Sequence, residues 1–283
     1  MRRLLTSLVL LLASACGTRP QNLASGAIVL PRELREVSGI VAIDDRTIAC
    51  VQDERGALFF LDLLGQLPPR VVPFGAPGDY EGLARVGEDF WVLRSDGLLV
   101  HLVPDGAGLR VQGSHRLMAE HQEYEGLCYD PVSKDLLVLP KDVVGKDKQE
   151  RDERPVFVFD LTAKKLRVEP LLVLSARAIA EQAVARSIDL PVDTTPKGKV
   201  RSTLKLHFSE LAMIPGRREL LMLSAVDAVL LRVDQTGQLL GGVRLDRSEL
   251  PQPEGLAFLP DGRLLVASEG AGGPGVLRVV EWR

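Results

Sequence analysis

One short pattern recurs along the chain in phase, and its period constrains the fold more than any other feature. Glu36-Val37-Ser38-Gly39-Ile40, Asp79-Tyr80-Glu81-Gly82-Leu83, Glu123-Tyr124-Glu125-Gly126-Leu127, His207-Phe208-Ser209-Glu210-Leu211 and Gln252-Pro253-Glu254-Gly255-Leu256 all align. Their third positions, Ser38, Glu81, Glu125, Ser209 and Glu254, are separated by 43, 44, 84 and 45 residues, so the long interval carries extra chain. A period of roughly 40–45 residues is that of a propeller blade built from four strands.

The residues after each copy fit that unit. Phe90-Trp91-Val92-Leu93 precedes an apolar run at 97–103, and 219–223 precedes 228–233, the turn Asp234-Gln235-Thr236-Gly237 and 238–245. Short apolar runs punctuated by Gly, Asp and Pro are the signature of antiparallel strands. The last copy supplies only three strands before the chain stops, whereas Gly26-Ala27-Ile28-Val29-Leu30 offers one ahead of the first copy. Pairing the two closes the ring and removes an exposed edge. The expectation is an all-β single propeller over 26–283 with five four-stranded blades, closed by an N-terminal strand. A degenerate sixth blade within 166–206 is the alternative.

The extra chain lies at 175–206. Residues 175–187 place Ile179, Ala183 and Val184 on one side behind a Ser start, which predicts a short amphipathic helix. A polar loop comes next, at 189–202. This insertion is expected on the mouth face, either covering the mouth or as a plain surface addition. The charged run 146–154 reads as a solvated loop.

In a propeller the inner strand of each blade starts beside the axis and the second strand returns to the same face. Ser38, Glu81, Glu125, Ser209 and Glu254 are therefore expected to ring the channel mouth. Gln52-Asp53-Glu54, Arg94-Ser95-Asp96, Lys141-Asp142, Ser224-Ala225 and Ser268-Glu269 come 13 to 16 residues later and should form a wider second ring. Carboxylates gathered in one place raise one another's pKa or call for a cation. Three readings stand side by side. Glu81, Glu125 and Glu254 hold a hard cation such as Ca²⁺; or Arg94 and Lys141 neutralise them and receive an anion; or the glutamates are structural clamps between blades.

The N-terminus adds a location. Met1-Arg2-Arg3, an apolar stretch at 4–13 and Ala13-Ser14-Ala15-Cys16-Gly17 have the anatomy of a secretory signal. The stretch is shorter than the roughly 20 apolar residues of a membrane-spanning helix. Small residues leading into Cys16 resemble the lipobox of bacterial lipoproteins, although Ala13 stands where Leu is usual. The expectation is a signal peptide at 1–15, acylated Cys16 as membrane anchor, a tether at 16–25 and a monomeric domain in the periplasm. Gly17 in place of Asp favours the outer membrane. Loss of Arg2 and Arg3 takes the formal charge from −3 to −5, which argues against a nucleic-acid partner. Cys50 and Cys128 are either paired or buried thiols, and their strand-like surroundings favour thiols. The four histidines, His101, His115, His121 and His207, show no metal-type spacing.

With these residues assembled, the chain resembles the SdiA-regulated, YjiK-like propeller family of bacterial envelope proteins. The resemblance rests on Val37-Ser38-Gly39-Ile40, Tyr124-Glu125-Gly126-Leu127, Leu139-Pro140-Lys141-Asp142, Leu221-Met222-Leu223-Ser224, and Pro253-Glu254-Gly255 with Ser268-Glu269. The stretch at 175–202 is longer than the family pattern. The resemblance implies a propeller and an envelope location and no settled activity. Two functions are open: a module that binds a small ligand, cation or envelope partner at the mouth, or a Ca²⁺-dependent hydrolase similar to phytase-like and esterase-like propellers. No nucleophile elbow or Gly-rich phosphate loop is present.

Overall fold

A computed structural model describes residues 26–117, 123–141 and 152–282. Cys16, the signal segment, the tether, His121 and most of the charged run at 146–154 lie outside the described residues. Five antiparallel sheets are arranged as the blades of a propeller. Blade 1 holds β2 (Val37–Ala42), β3 (Thr47–Gln52), β4 (Ala57–Asp62) and β5 (Arg70–Pro73). Blade 2 holds β6 (Tyr80–Val86), β7 (Asp89–Arg94), β8 (Leu98–Asp105) and β9 (Gly108–Arg116).

Blade 3 starts with β10 (Tyr124–Asp130), β11 (Asp135–Pro140) and β12 (Glu153–Asp160). Its outer position is split, because β13 (Lys165–Leu166) and β14 (Leu172–Ser175) both pair with β12. Blade 4 is β17 (Phe208–Met213), β18 (Glu219–Ser224), β19 (Val229–Asp234) and β20 (Leu239–Arg244). Blade 5 takes β21 (Gln252–Phe258), β22 (Leu264–Glu269) and β23 (Val276–Val280) from the C-terminus, and β1 (Ile28–Val29) from the N-terminus. Ile28 faces Leu277 and Val29 faces Val276, and the Leu30 N–H donates to the Gly275 carbonyl at 2.8 Å. The N-terminal strand thus closes the ring, and no sixth blade hides at 166–206.

Burial explains the closure. Each of the five apolar clusters fills one seam between neighbouring blades: Ile40 and Phe59 with Leu265 between blades 1 and 5, Val51 with Leu83 and Val92 between 1 and 2, and so on around the axis. A two-faced sheet buried on both sides gives continuous apolar runs such as Leu220, Leu221, Met222 and Leu223, each no more than 1% exposed. The outer turns are fixed by an Asp at the end of the third strand. Asp62 accepts from the N–H groups of Leu64, Gln66 and Leu67, and Asp160 and Asp234 do the same in their blades.

The insertion departs from a cover over the mouth. Helix α1 (Ala176–Arg186) is capped by the Ser175 hydroxyl, which accepts from Ala178 N–H at 3.0 Å. Ile179, Ala180 and Ala183 sink into the seam between blades 3 and 4, and Gln182 accepts the Leu239 N–H at 2.9 Å. The helix therefore packs between the outer strands β14 and β20, and a hairpin of β15 (Val192–Thr194) and β16 (Val200–Ser202) lies against it. Cys50 and Cys128 are free thiols, Cys50 buried and Cys128 half-buried. Among the described residues, no helix is long and apolar enough to cross a membrane.

Candidate functional site

The repeated tripeptide is a bulge. In every inner strand the register with its neighbour slips at this point, between Val37 and Ile40, Tyr80 and Gly82, Tyr124 and Leu127, Phe208 and Glu210, and Pro253 and Gly255. A bulge re-aims the side chain it carries. It also lets the bulged backbone approach the next blade. A Cβ on Gly39 would sit 2.5 Å from the Leu83 nitrogen and 2.8 Å from the Glu81 carbonyl oxygen, and one on Gly82 would sit 2.9 Å from the Glu125 carbonyl oxygen. A Cβ on Gly255 would meet the Ser38 carbonyl oxygen at 2.5 Å. Of the two remaining seams, that between blades 4 and 5 is spanned by the Ser209 hydroxyl, which donates to the Pro253 carbonyl at 3.0 Å, and that between blades 3 and 4 by the Leu127 N–H, which donates to the Glu210 side chain. Motif touches motif around the whole ring, as the period requires.

The second ring lies across from the first by strand pairing. Gln52 faces Val37, Arg94 faces Tyr80, Ser224 faces Phe208 and Ser268 faces Pro253, while the Lys141 N–H donates to the Glu123 carbonyl at 2.8 Å. Several of these side chains are committed to internal bonds. Gln52 accepts from the Arg55 N–H, Ser224 donates to Asp227 at 2.7 Å, and Ser268 accepts the Gln252 N–H at 3.0 Å. Arg94 forms a two-pronged pair with Asp96 at 2.9 and 2.6 Å. Ser38 and Ser209 are buried.

The carboxyls are what the mouth leaves open. Lys141 Nζ is ion-paired with Glu125 and stands 4.0 Å from Glu81. Burial first, then the Glu125 and Asp79 charges, push Glu81 up to about 8. Burial also raises Glu125, though the Lys141 ammonium opposes it. Glu254 is raised well above its usual range by burial and by Glu125, Glu269 and Glu81. Glu269 rises to about 7 through burial and the Asp53 and Glu36 charges, and Asp53 to about 6 through burial, Glu36 and Glu54. Asp53 Oδ1 is buried without a hydrogen bond. Among the described residues neither Glu254 nor Glu269 has a hydrogen-bonded or ion-paired side chain, and no group of three His, Cys, Asp or Glu side chains is placed to hold a metal ion.

One residue escaped the sequence reading. In blade 4 the motif glycine is replaced by Glu210, whose side chain is fully buried. Its Oε1 accepts the Leu127 N–H at 2.9 Å from blade 3 and the Leu211 N–H at 2.9 Å. Burial holds its pKa well above the usual carboxylate range, against the pull of those two donors. The signal was visible as Ser209-Glu210-Leu211 where the other copies read Gly, but the period alone gives it no role.

With this geometry in view, no protein-family model and no curated protein matches the chain. Solved structures do. The chain is similar to a glutaminyl cyclase from Myxococcus xanthus, with a TM-score of 0.54 at 18% identity over 90% of this chain and 97% of that one. It is similar to a glucose dehydrogenase with a TM-score of 0.55 at 9% identity, over 92% and 100% of the two chains. A streptogramin B lyase gives 0.49 at 13% identity, over 90% and 97%. At these identities the likeness is one of fold.

Proposed function

We propose that the chain is an envelope propeller, anchored through acylated Cys16, that binds an organic cation at the mouth ringed by Glu81, Glu125 and Glu254. The observation that carries this reading is the excess of carboxyls over cations there. Burial and the charges of Glu125, Glu269 and Glu81 raise Glu254, burial and the Asp53 and Glu36 charges raise Glu269, and burial with Glu36 and Glu54 raises Asp53, while Lys141 is taken up by Glu125 and Glu81. Like charges held together in a poorly solvated place favour an incoming positive charge. Arg94 is tied to Asp96, which disfavours an anionic ligand. An extended ammonium ligand suits carboxyls spread around a ring better than a compact ion, which needs several oxygens within about 2.3–2.6 Å.

Membership of the SdiA-regulated, YjiK-like family belongs to the same proposal, as do the periplasmic location and the outer-membrane preference. The fold is shared with proteins that carry chemistry, a glutaminyl cyclase and a glucose dehydrogenase. The Ca²⁺-dependent hydrolase is kept as an arm of the test. Calorimetric titration of the full chain with putrescine and, separately, with calcium chloride is the deciding experiment, repeated on Glu254→Gln. Putrescine heat that weakens roughly tenfold in the variant supports the reading. Calcium heat alone transfers the site to a metal, and no heat from either overturns both.

A further inference from the structure

The axis has a second end. The five inner strands finish away from the carboxyl ring, and there residues of all five surround a cavity of about 550 Å³. That lies within the range of roughly 300–1,000 Å³ of small-molecule sites. It is hollow for a sequence reason. The position three residues after each motif side chain is Val41, Ala84, Cys128, Ala212 and Ala257, four of them small. Phe258 and Met213 add apolar wall.

The charge here is opposite to that of the other mouth. Among the described residues, three arginines line the cavity, Arg85, Arg217 and Arg218, and no carboxylate does. Arg85 donates to the Ile43 carbonyl at 2.9 Å, but its buried Nε has no hydrogen-bond partner. Its nearest acid is Glu88 at 3.9 Å, and Arg217 stands 3.6 Å from Glu219. Arg218 is exposed and makes no ion pair among the described residues. An apolar well with guanidinium groups at its rim is complementary to a molecule with an apolar tail and an anionic head.

We propose that this well binds an acyl carboxylate, with the hydrocarbon tail between the inner strands and the carboxylate on Arg85 and Arg218. Guanidinium is the group of choice for a planar two-oxygen anion. The site is independent of the cation mouth, since the two occupy opposite ends of the same strands.

The test is calorimetry on the full chain with octanoate and decanoate, and with decanol and decyltrimethylammonium as tail-matched controls, the last measured on Glu254→Gln so that the cation mouth does not contribute. Decanoate should bind more tightly than octanoate by roughly fifteenfold, about fourfold per added methylene. Decanol and the cation should bind at least about tenfold more weakly than decanoate. Arg85→Gln and Arg218→Gln should each weaken decanoate, and Glu254→Gln should leave it unchanged. Arg218→Gln is the safeguard should loss of the Arg85–Ile43 bond unfold the blade, because Arg218 is exposed. Absence of decanoate heat at about 1 mM overturns the proposal, since a millimolar site is worth little. So does equal binding of all three ten-carbon amphiphiles, which would mark the well as apolar without a preference for anions.

Discussion

The Glu210 carboxyl accepts the Leu127 N–H at 2.9 Å, so a side chain of blade 4 completes the backbone of blade 3 beside the axis. The other motif copies have glycine at this position, and at Gly39, Gly82 and Gly255 the backbone of the next blade lies where a side chain would be. A buried N–H deprived of its acceptor costs about 1–3 kcal/mol. Glu210→Ala should therefore lose that much in urea denaturation, whereas Glu210→Gln, which keeps a neutral acceptor, should stay close to wild type. Equal stability of the Ala variant and wild type would mean that the bond does not hold the seam.

Stability should fall as pH rises through the mouth's titrations. Glu81, Glu269 and Asp53 have native pKa values of about 8, 7 and 6, against ordinary values of 4.5, 4.5 and 3.8. Between those limits the folded protein holds protons that the unfolded chain has released, so unfolding free energy drops with increasing pH. The full contribution is present below about pH 4 and is gone above about pH 8. Glu81→Gln should therefore raise the melting temperature by roughly 3 °C or more above pH 8 and leave it nearly unchanged at acid pH. A gain of equal size at both extremes would contradict the assignment.

The same titrations couple to ligand. A cation seated among partly protonated carboxyls displaces protons, so putrescine affinity should increase from acid to mildly alkaline pH. Calorimetry in buffers of different ionisation enthalpy reads the protons released, and a pH-independent affinity would count against the mouth as the binding place.

Backbone contact between motifs makes its own prediction. A methyl group on Gly39 would lie 2.5 Å from the Leu83 nitrogen, closer than any relaxed contact, with backbone rather than a flexible side chain in the way. Gly39→Ala should cost about 1–3 kcal/mol, as overpacking does. Gly65→Ala is the control, since nothing stands within 4 Å and the cost there comes from a positive φ of 65° alone. Denaturation midpoints that rank the control as the worse of the two would argue against the tight seam.

Most of the architecture was legible because each blade is specified locally. A strand buried on both faces must be apolar throughout, and the phased Gly-Leu steps mark where one blade touches the next. The closing strand was legible for a related reason: blade 5 lacks one strand and residues 26–30 offer it. The helix was found to within a residue at each end, because Ser175 caps it. Its destination was not, because periodicity gives the apolar face of a helix without naming what it will cover. The mouth was half legible. Repeat phase brought Glu81, Glu125 and Glu254 to one end, but it could not tell that Arg94 would turn to Asp96, or that Ser209, Ser224 and Ser268 would be occupied holding backbone and side chains nearby. Those choices are made by contacts of a few ångströms that no spacing encodes. The cavity at the far end was present in the sequence as the series Val41, Ala84, Cys128, Ala212 and Ala257, which reads as ordinary core until the ring is assembled.

The pairing of β1 with β23 also sets an order of events. Val29 is made long before its partner Val276, so the circle cannot be sealed until the last blade has left the ribosome. Four blades are complete in sequence before that moment, and the apolar seam containing Leu30, Leu34, Leu265 and Leu277 must wait open beside them. Sealing therefore cannot precede the synthesis of β23, and whatever loosens the two residues of β1 opens the ring at that junction.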